Sequence, residues 1–330
     1  MSCVIIALSG GVDSAVAAAL LLDAGHRVEA LFMSNWEEDE DGYCTTAADF
    51  QDARSVCDEL GIPLHKASFA REYRERVFAH FLAELEAGRT PNPDVLCNRE
   101  VKFGVGLSYA KRLGAERFAT GHYARIGPTG QLLRGIDNEK DQSYFLHSLD
   151  ASQLAASEFP VGGLRKSDVR AIARERGLAV AGKRDSTGIC FIGERPFGNF
   201  IGTWLPGRPG PIETDDGSII GRHLGLERYT LGQRSGLGVG GLRGRGDAPW
   251  FVAAKDLARN TLVVVQGRDH PALCCTGLRA ATPRWISGKP RAASFACTAK
   301  VRYRQPDVAC SIRLEPGGID VQFEEPLRGA

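Results

Sequence analysis

The chain lacks a CxxC pair, a long apolar run and any appreciable net charge. Each absence excludes something. Its nine cysteines are odd in number and never fall at zinc-ligand spacing, which argues against a zinc module and a fully paired disulfide framework. No apolar run approaches the roughly 20 residues that a membrane-spanning helix needs. The N-terminal MSCVIIALSGG has neither a basic n-region nor a small-residue cleavage site, so no secretory signal and a cytoplasmic location are expected. A net charge of +1 and a pI near 7.6 leave only a local basic face, not bulk charge, as a route to nucleic acid. There is no Gly-Lys-Ser/Thr loop ending, no GxGxxG after the first strand, no tandem repeat and no low-complexity tract.

What is present is ordinary globular material, 43% hydrophobic and 25% charged, in 330 residues, enough for two or three domains. Residues 3–8 (CVIIAL) read as a strand buried on both faces. SGGVDS follows, then the helix AVAAALLLDAG with Gly25 as its stop. A strand from Val28 to Met33, the acidic loop NWEEDEDGYC, a helix over 45–60 and the strand IPLHKAS come next. A longer helix is expected from about Arg71 to Ala87, with Val77, Phe78, Phe81, Leu82 and Leu85 on one side. Alternation of this kind predicts a parallel sheet covered by helices, with ligands beyond the carboxyl ends of the strands. Past about residue 195 helical periodicity fades, and Leu205 to Gly246 is rich in Gly and Pro. TLVVVQG, SFACTAKVRY, VACSIRL and IDVQF then read as short strands of a small all-β module. The fold class is therefore α/β with a parallel-sheet domain over 1–196, a mixed connector over 197–264 and a β-barrel-like end over 265–330.

Ser9 to Ser14 (SGGVDS) carries the strongest chemical signal. It joins a buried strand to a helix, where backbone N–H groups receive phosphate. Gly10 and Gly11 allow a tight bend and close backbone approach, Ser9 and Ser14 offer hydroxyls, and Asp13 is a candidate Mg²⁺ ligand beside a pyrophosphate. The bland alternative is a glycine turn with no ligand. The motif resembles the loop of ATP-pyrophosphatases, a superfamily of synthetases and tRNA thiolases that cleave ATP between the α and β phosphates.

Two cysteine segments follow. In GRTPNPDVLCNREVKF, residues 88–103, the prolines suggest a stiff loop and Cys97 is expected just before a helix starting near Arg99. A thiol there, beside Arg99 and Lys102, would have its thiolate favoured, and Asp94 would be near enough for acid or base work. In KRDSTGICFIGERPF, residues 183–197, Cys190 is surrounded in sequence by Lys183, Arg184 and Arg195, although alone it also fits a buried strand cysteine. Cys57, in the row Phe50, Ala53, Cys57, Leu60, reads as core. Cys274, Cys275, Cys297 and Cys310 read as core or incidental, and Glu37 to Asp41 as a solvated loop.

SGGVDS, NWEEDEDGYC, GRTPNPDVLCN, ATGHYAR, KDQSYFL, DSTGICFIGER and LGQRSGLGVGG occur in this order in one chain. Together they resemble the tRNA-specific 2-thiouridylase family, from the first strand to about residue 325. The resemblance implies ATP contacts at Ala7, Leu8, Ser9, Gly10, Gly11, Val12, Asp13, Ser14, Met33 and Gly121. It places Asn92, Pro93 and Asp94 against the target base, and His122, Lys140, Asp141, Gln142, Arg302 and Tyr303 against tRNA. Cys190 matches the persulfide carrier and Cys97 its partner nucleophile. The implied reaction uses ATP and Mg²⁺ to adenylate the C2 oxygen of a wobble uridine, then transfers sulfur supplied by a persulfide-donating relay protein or cysteine desulfurase. The family pattern runs on past Ala330 with further strands, including a Pro-Gly-Gln segment, so an open barrel with an unpaired edge is expected. Two rival readings are a small-molecule synthetase sharing the loop and a tRNA-binding protein with a relic loop. A tRNA requirement for turnover separates the first, and ATP–pyrophosphate exchange the second.

Overall fold

A computed structural model describes residues 2–36, 46–185, 197–240 and 246–328. The chain divides into two compact units. One comprises 1–80, 92–195 and 284–289; the other comprises 81–91, 196–283 and 290–330.

In the first unit the apolar run CVIIA forms β1 (Cys3–Ala7), with Val4, Ile5 and Ile6 fully buried. A strand buried on both faces needs neighbours on both sides, and β1 has them. It pairs in parallel with β2 (Arg27–Ser34) on one side and β4 (Arg117–Thr120) on the other. β3 (Leu64–Ser68) extends the sheet beyond β2. A short antiparallel hairpin, β5 (Ala124–Ile126) with β6 (Leu132–Arg134), stands apart from it. The two-residue β7 (Ser157–Glu158) closes the far edge, so the order is β3-β2-β1-β4-β7 and every pair is parallel. The chain winds outward from β1 to β3 and then returns to the other side of β1 with β4. That reversal makes the carboxyl ends of β1 and β4 the switch point where a crevice opens.

The helices follow the expected apolar spacing. α1 (Val12–Asp23) is alanine-rich and largely buried, and Gly25 ends it at a φ of 79°, a left-handed angle that suits glycine. α2 (Thr46–Leu60) buries Ala53, Val56 and Cys57 in the core, and Phe50 and Leu60 pack against it. Burial also pushes the Cys57 thiol up to about 12, so Cys57 is an inert core thiol. The helix over 70–86 contains a π segment, Arg74–Phe78, where Tyr73 and Phe78 hold Trp36 edge-on at 5.9 and 5.0 Å.

The main correction concerns Cys97. The helix does not begin near Arg99. It begins at Pro93, with Asn92 as its cap accepting the Asp94 N–H at 3.0 Å. Proline at the first helical position gives up only an N–H that has no partner there anyway, so Pro93 starts a helix instead of stiffening a loop. Cys97 therefore opens a ten-residue π segment, Cys97–Gly106, one turn inside the helix, and is fully buried. The favourable end of a helix dipole fades within its first turn, so this thiol lacks the terminal position expected for it.

The second unit holds two four-stranded sheets. β8 (Gly210–Thr214), β9 (Ile219–His223), β10 (Trp250–Asp256) and β11 (Thr261–Gln266) are ordered β10-β11-β8-β9. Ile212, Trp250, Val252, Leu262 and Val264 form part of the core there. β12 (Cys274–Ala281), β13 (Ser294–Ala299), β14 (Val308–Glu315) and β15 (Gly318–Arg328) form an antiparallel sheet ordered β12-β15-β14-β13. β12 and β13 are its edges. Of these eight strands the sequence patterns picked out only β11, β13, β14 and β15.

Gly162 tests the packing of the first unit. An added Cβ would lie 1.6 Å from the Ala124 carbonyl oxygen, so Gly162→Ala should cost about 1–3 kcal/mol or more through overpacking. Urea denaturation is the measurement; an unchanged midpoint would mean that this backbone approach is not as close as drawn.

Candidate active site

The nucleotide loop is built on absent side chains. Gly10 has a φ of 73°, and a Cβ on it would meet the Asp49 carbonyl oxygen at 2.3 Å. Gly121, just past β4, would drive a Cβ to 2.7 Å from the Ser14 nitrogen. The two ends of the switch point therefore touch backbone to backbone. Within the loop Ser14 Oγ donates to the Gly11 carbonyl at 3.0 Å and accepts the Ser9 N–H at 3.2 Å. With its one proton spent, Ser14 Oγ must accept from the Ser9 hydroxyl, 3.2 Å away. Gly11 caps α1 without a side-chain bond, which leaves the first-turn N–H groups for an anion. Ala7, Leu8 and Val12 are buried and support the loop from beneath.

Around this loop lies a charged network that sequence motifs did not disclose. Lys166, on α3 (Lys166–Glu175), is 8% exposed and donates to both Asp13 carboxylate oxygens at 2.7 Å. Tyr123 donates to the same carboxylate at 2.8 Å. Burial raises the Tyr123 pKa, and the Asp13 charge and hydrogen bond raise it further, so the phenol keeps its proton. Lys166 also pairs with Asp185 at 2.8 Å, and Lys140 and Arg170 meet Asp185 at 2.7 and 2.8 Å. On the other side of the loop Lys183 donates to the Gly10 carbonyl at 3.0 Å and to Asp49 and Asp52 at 2.7 and 2.5 Å. Lys183 thus braces the loop, a role its place in the Cys190 segment did not suggest. Burial works against its charge, but its bonds to Asp49 and Asp52 raise its pKa above the ordinary value.

The expected Mg²⁺ ligand, Asp13, has both oxygens committed to Lys166. No group of three or more His, Cys, Asp or Glu that could hold a metal occurs among the described residues. This donor set does not fit a resident metal ion.

The Cys97 helix is brought to the same strand ends. Gly106 faces Met33, whose sulfur would sit 2.9 Å from an added Cβ. Phe103 packs on Phe118, His122 and Phe159 with ring centres 6.0, 5.9 and 5.9 Å apart. His122 Nδ1 meets the Thr120 hydroxyl at 2.7 Å. Desolvation, helped by the nearby Lys102 charge, holds the His122 pKa well below 6.5, so the ring is neutral at pH 7 and offers a hydrogen bond, not a charge. Asn98, beside Cys97, donates to the Phe145 carbonyl at 3.2 Å, and Ser148 bonds to the Val95 carbonyl. The KDQSYFL segment therefore lies along this helix.

The remaining expected residues differ in what they can still touch. Asp141 is buried and accepts from the Gly135 and Ser143 N–H groups and the Ser143 hydroxyl. Gln142 accepts the Tyr123 N–H at 3.0 Å. Both side chains are committed internally, whereas Lys140 keeps 34% of its side chain exposed while pairing with Asp185. Arg99 is paired with Glu100 at 2.7 Å and so adds little net charge near Cys97. In the second unit Arg302 donates to the Leu231 carbonyl at 3.1 Å and Tyr303 stacks under Arg304. Cys190, Cys44, Arg195 and Glu37 to Asp41 lie outside the described residues. One unpredicted feature stands two residues past Met33: Asn35 is 1% exposed and neither amide atom of its side chain has a partner. The Asn98 Oδ1 atom is buried without a partner as well. Unsatisfied buried polar atoms are rare, and these three atoms on two residues are candidate partners for substrate groups.

Asp185 gives the network a pH signature. Burial alone would raise its carboxyl, but bonds from Lys140 and Lys166, with their charge, lower it to about 2. A depressed carboxyl stabilises the fold above its unfolded value, about 3.9, and that contribution is lost as pH falls toward about 2. Asp185→Asn should flatten this part of the stability profile between about pH 4 and pH 2. Denaturation midpoints across that window measure it, and an unaltered profile would show that the pairs contribute nothing.

Comparison with known proteins agrees with this layout. Residues 2–194 match the family model described as the tRNA methyl transferase HUP domain. Residues 198–266 match the tRNA methyl transferase PRC-barrel domain, and residues 275–330 the aminomethyltransferase beta-barrel domain. The tRNA-specific 2-thiouridylase MnmA of Chromohalobacter salexigens is 57% identical over 330 residues, covering 98% of this chain and 86% of that protein. Those of Hahella chejuensis and Marinobacter nauticus are 55% and 54% identical, again over 98% of this chain and over 90% and 85% of theirs. Among solved structures, the U34-tRNA thiolase NcsA from Methanococcus maripaludis shares 19% identity over 54% of this chain and 57% of its own. Its TM-score of 0.38 is too low to inform the site. The identity and coverage of the curated relatives leave one reading: the chain belongs to the tRNA-specific 2-thiouridylase family.

Proposed function

We propose that the chain is an ATP-dependent tRNA-uridine 2-sulfurtransferase that makes 2-thiouridine at the anticodon wobble position, releasing AMP and pyrophosphate. One observation supports the reading beyond family membership: the phosphate-type loop and the helix carrying Cys97 both reach the carboxyl edge of one parallel sheet, through Gly121 on Ser14 past β4 and Gly106, at the far end of the Cys97–Gly106 segment, on Met33 of β2. A nucleotide and a thiol chemistry belong together there.

The uridine C2 oxygen is a poor leaving group. Attack by that oxygen on the α-phosphorus of ATP makes an adenylate and releases pyrophosphate. The first-turn N–H groups of α1 and the Lys166 ammonium offset charge building on the phosphates. We assign Mg²⁺ to the nucleotide, arriving as the MgATP complex, because Asp13 is held by Lys166. The terminal sulfur of a Cys190 persulfide then attacks C2 and AMP departs. Cys97 attacks the inner Cys190 sulfur, which leaves sulfur on the base and a Cys97–Cys190 disulfide for later reduction. In the variant order, Cys97 first displaces hydrosulfide, which itself attacks C2. A buried Cys97 suits either order, since water is kept from the thiol until the base arrives. Asn92, Pro93 and Asp94 border the base, with Asp94 as acid or base. His122 and Lys140 border the tRNA, with Asp141 and Gln142 shaping that segment through their internal hydrogen bonds, and Arg302 and Tyr303 border a second part of it. The base must leave the anticodon stack to reach this crevice. Residues 1–196 serve catalysis, 197–264 connect, and 265–330 bind tRNA; a persulfide-donating protein supplies sulfur in the cytoplasm.

Mass spectrometry of tRNA nucleosides after incubation with ATP, Mg²⁺ and a persulfide donor is the direct assay. Cys97→Ser and Cys190→Ser should each abolish 2-thiouridine while ATP binding survives, and normal thiolation by Cys190→Ser removes that residue from the mechanism. Asp13→Ala should stop pyrophosphate release, read by a coupled phosphate assay. Turnover of ATP with a small acid and ammonia, without tRNA, would instead identify a small-molecule synthetase.

A further inference from the structure

β13 and β14 run antiparallel with Cys297 directly opposite Cys310, and the two sulfurs are 3.6 Å apart. Both are free thiols. Opposed residues of an antiparallel pair have Cα atoms about 4.5–5.5 Å apart, inside the roughly 4.4–6.8 Å that a disulfide spans. Their side chains also leave the same face. Closing the sulfurs to about 2.05 Å therefore needs side-chain rotation and no change of strand register. Cys310 is almost fully buried, in a core with Val321 and Phe323, whereas Cys297 is half-buried.

The position of the pair matters. Ala299 and Val308 are the last paired residues of the two strands, so residues 300–307 form the connecting turn. Arg302 and Tyr303 are in that turn. The Arg302 carbonyl accepts the Gln305 N–H at 3.2 Å, and Arg304 between them has a φ of 67°. That is the left-handed position a type II turn usually gives to glycine, so the tip is a costly turn held in shape from below. The cysteine pair is the third rung from that turn, below Ala299–Val308 and Thr298–Ala309.

We propose that Cys297 and Cys310 are an oxidisable dithiol, a modification site at which a peroxide closes a cross-strand disulfide beneath the Arg302–Tyr303 turn. The Cys297 thiolate attacks one peroxide oxygen, the O–O bond breaks, and the departing hydroxide takes up the proton the Cys297 thiol had released, giving the sulfenic acid and one water. The Cys310 sulfur then attacks the sulfenic sulfur, and its thiol proton leaves with the displaced hydroxide as a second water. Two electrons pass from the sulfurs to the peroxide. Burial, with the Cys297 bond and charge, raises the Cys310 thiol to about 11, which suits it to resolve the reaction and not to start it. The disulfide ties the base of the turn. The effect on tRNA binding rests on the proposed role of Arg302 and Tyr303, whereas the oxidation does not.

The full chain carrying Cys97→Ser and Cys190→Ser keeps the proposed catalytic thiols out of the test. After equimolar hydrogen peroxide, non-reducing peptide mapping should find a mass loss of about 2 Da and the Cys297 peptide joined to the Cys310 peptide, reversed by dithiothreitol. Filter binding should show tRNA held about two- to fivefold more tightly by the oxidised form, as a pre-ordered turn costs less to bind. Cys297→Ala and Cys310→Ala, each added singly, should remove both effects. Sulfinic acid at Cys297, a bond to Cys275, or no oxidation overturns the site. A mapped disulfide with unchanged affinity overturns its link to the turn, while tRNA-dependent ATP–pyrophosphate exchange by the unmodified protein judges the proposed function separately.

Discussion

α1 begins where it does because Gly10 and Gly121 have no side chains. Backbone from α2 presses on the first and backbone from the first turn of α1 presses on the second. This close approach pins the end of β1 to the end of β4, the two strands between which the sheet reverses direction. Once that crossing is closed, Asp13 lies where Lys166 and Tyr123 can reach it, and Gly10 where Lys183 can. A paired cation on each side of the helix start braces a structured seat in which the first-turn N–H groups of α1 face the phosphates, without a Walker-type lysine in the loop itself.

The same crossing explains how the thiol chemistry is held. The helix over 93–112 packs its π segment onto Met33 near the end of β2, Phe118 within β4 and His122 just past β4. A π segment widens the helix and breaks its regular bonding, a cost that recurs at functional sites. Here it follows the short helical turn Pro93–Leu96 that Asn92 caps, and Cys97 at its start is fully buried. In the proposed mechanism, burial of Cys97 keeps water from the thiol until the base arrives. Both amide atoms of Asn35, just past β2, and the Asn98 Oδ1 are buried without a partner, consistent with groups open to a ligand.

Much of the first unit was legible in the residues. CVIIA must be a central strand because nothing polar interrupts it, and Gly25 must end α1 because the next angle is left-handed. The row Phe50, Ala53, Cys57, Leu60 read as core, and it is. In the second unit β8 (GPIET) carries Gly and Pro, and β12 (CCTGLRAA) has a glycine and a register shift in its middle. Such strands hold together by pairing with neighbours and not by their own alternation, so pattern alone missed them. The sequence places the start of the Cys97 helix too late because Pro93 reads as a loop former, whereas Asn-Pro is also a cap followed by a first helical residue.

The choice of Cys97 and Cys190 as the chemical pair came from the family resemblance, while from the residues alone came the motifs, the parallel-sheet class and the phosphate-type loop. These are local statements, set by spacing within a few residues. Only the tertiary structure decided that Asp13 belongs to Lys166, 153 residues away, that Lys183 braces Gly10, and that Asp141 and Gln142 spend their side chains internally. It also set Cys297 against Cys310 through strand register. Charge pairs and cross-strand neighbours depend on which distant segments the sheet brings together, and no spacing along the chain records that.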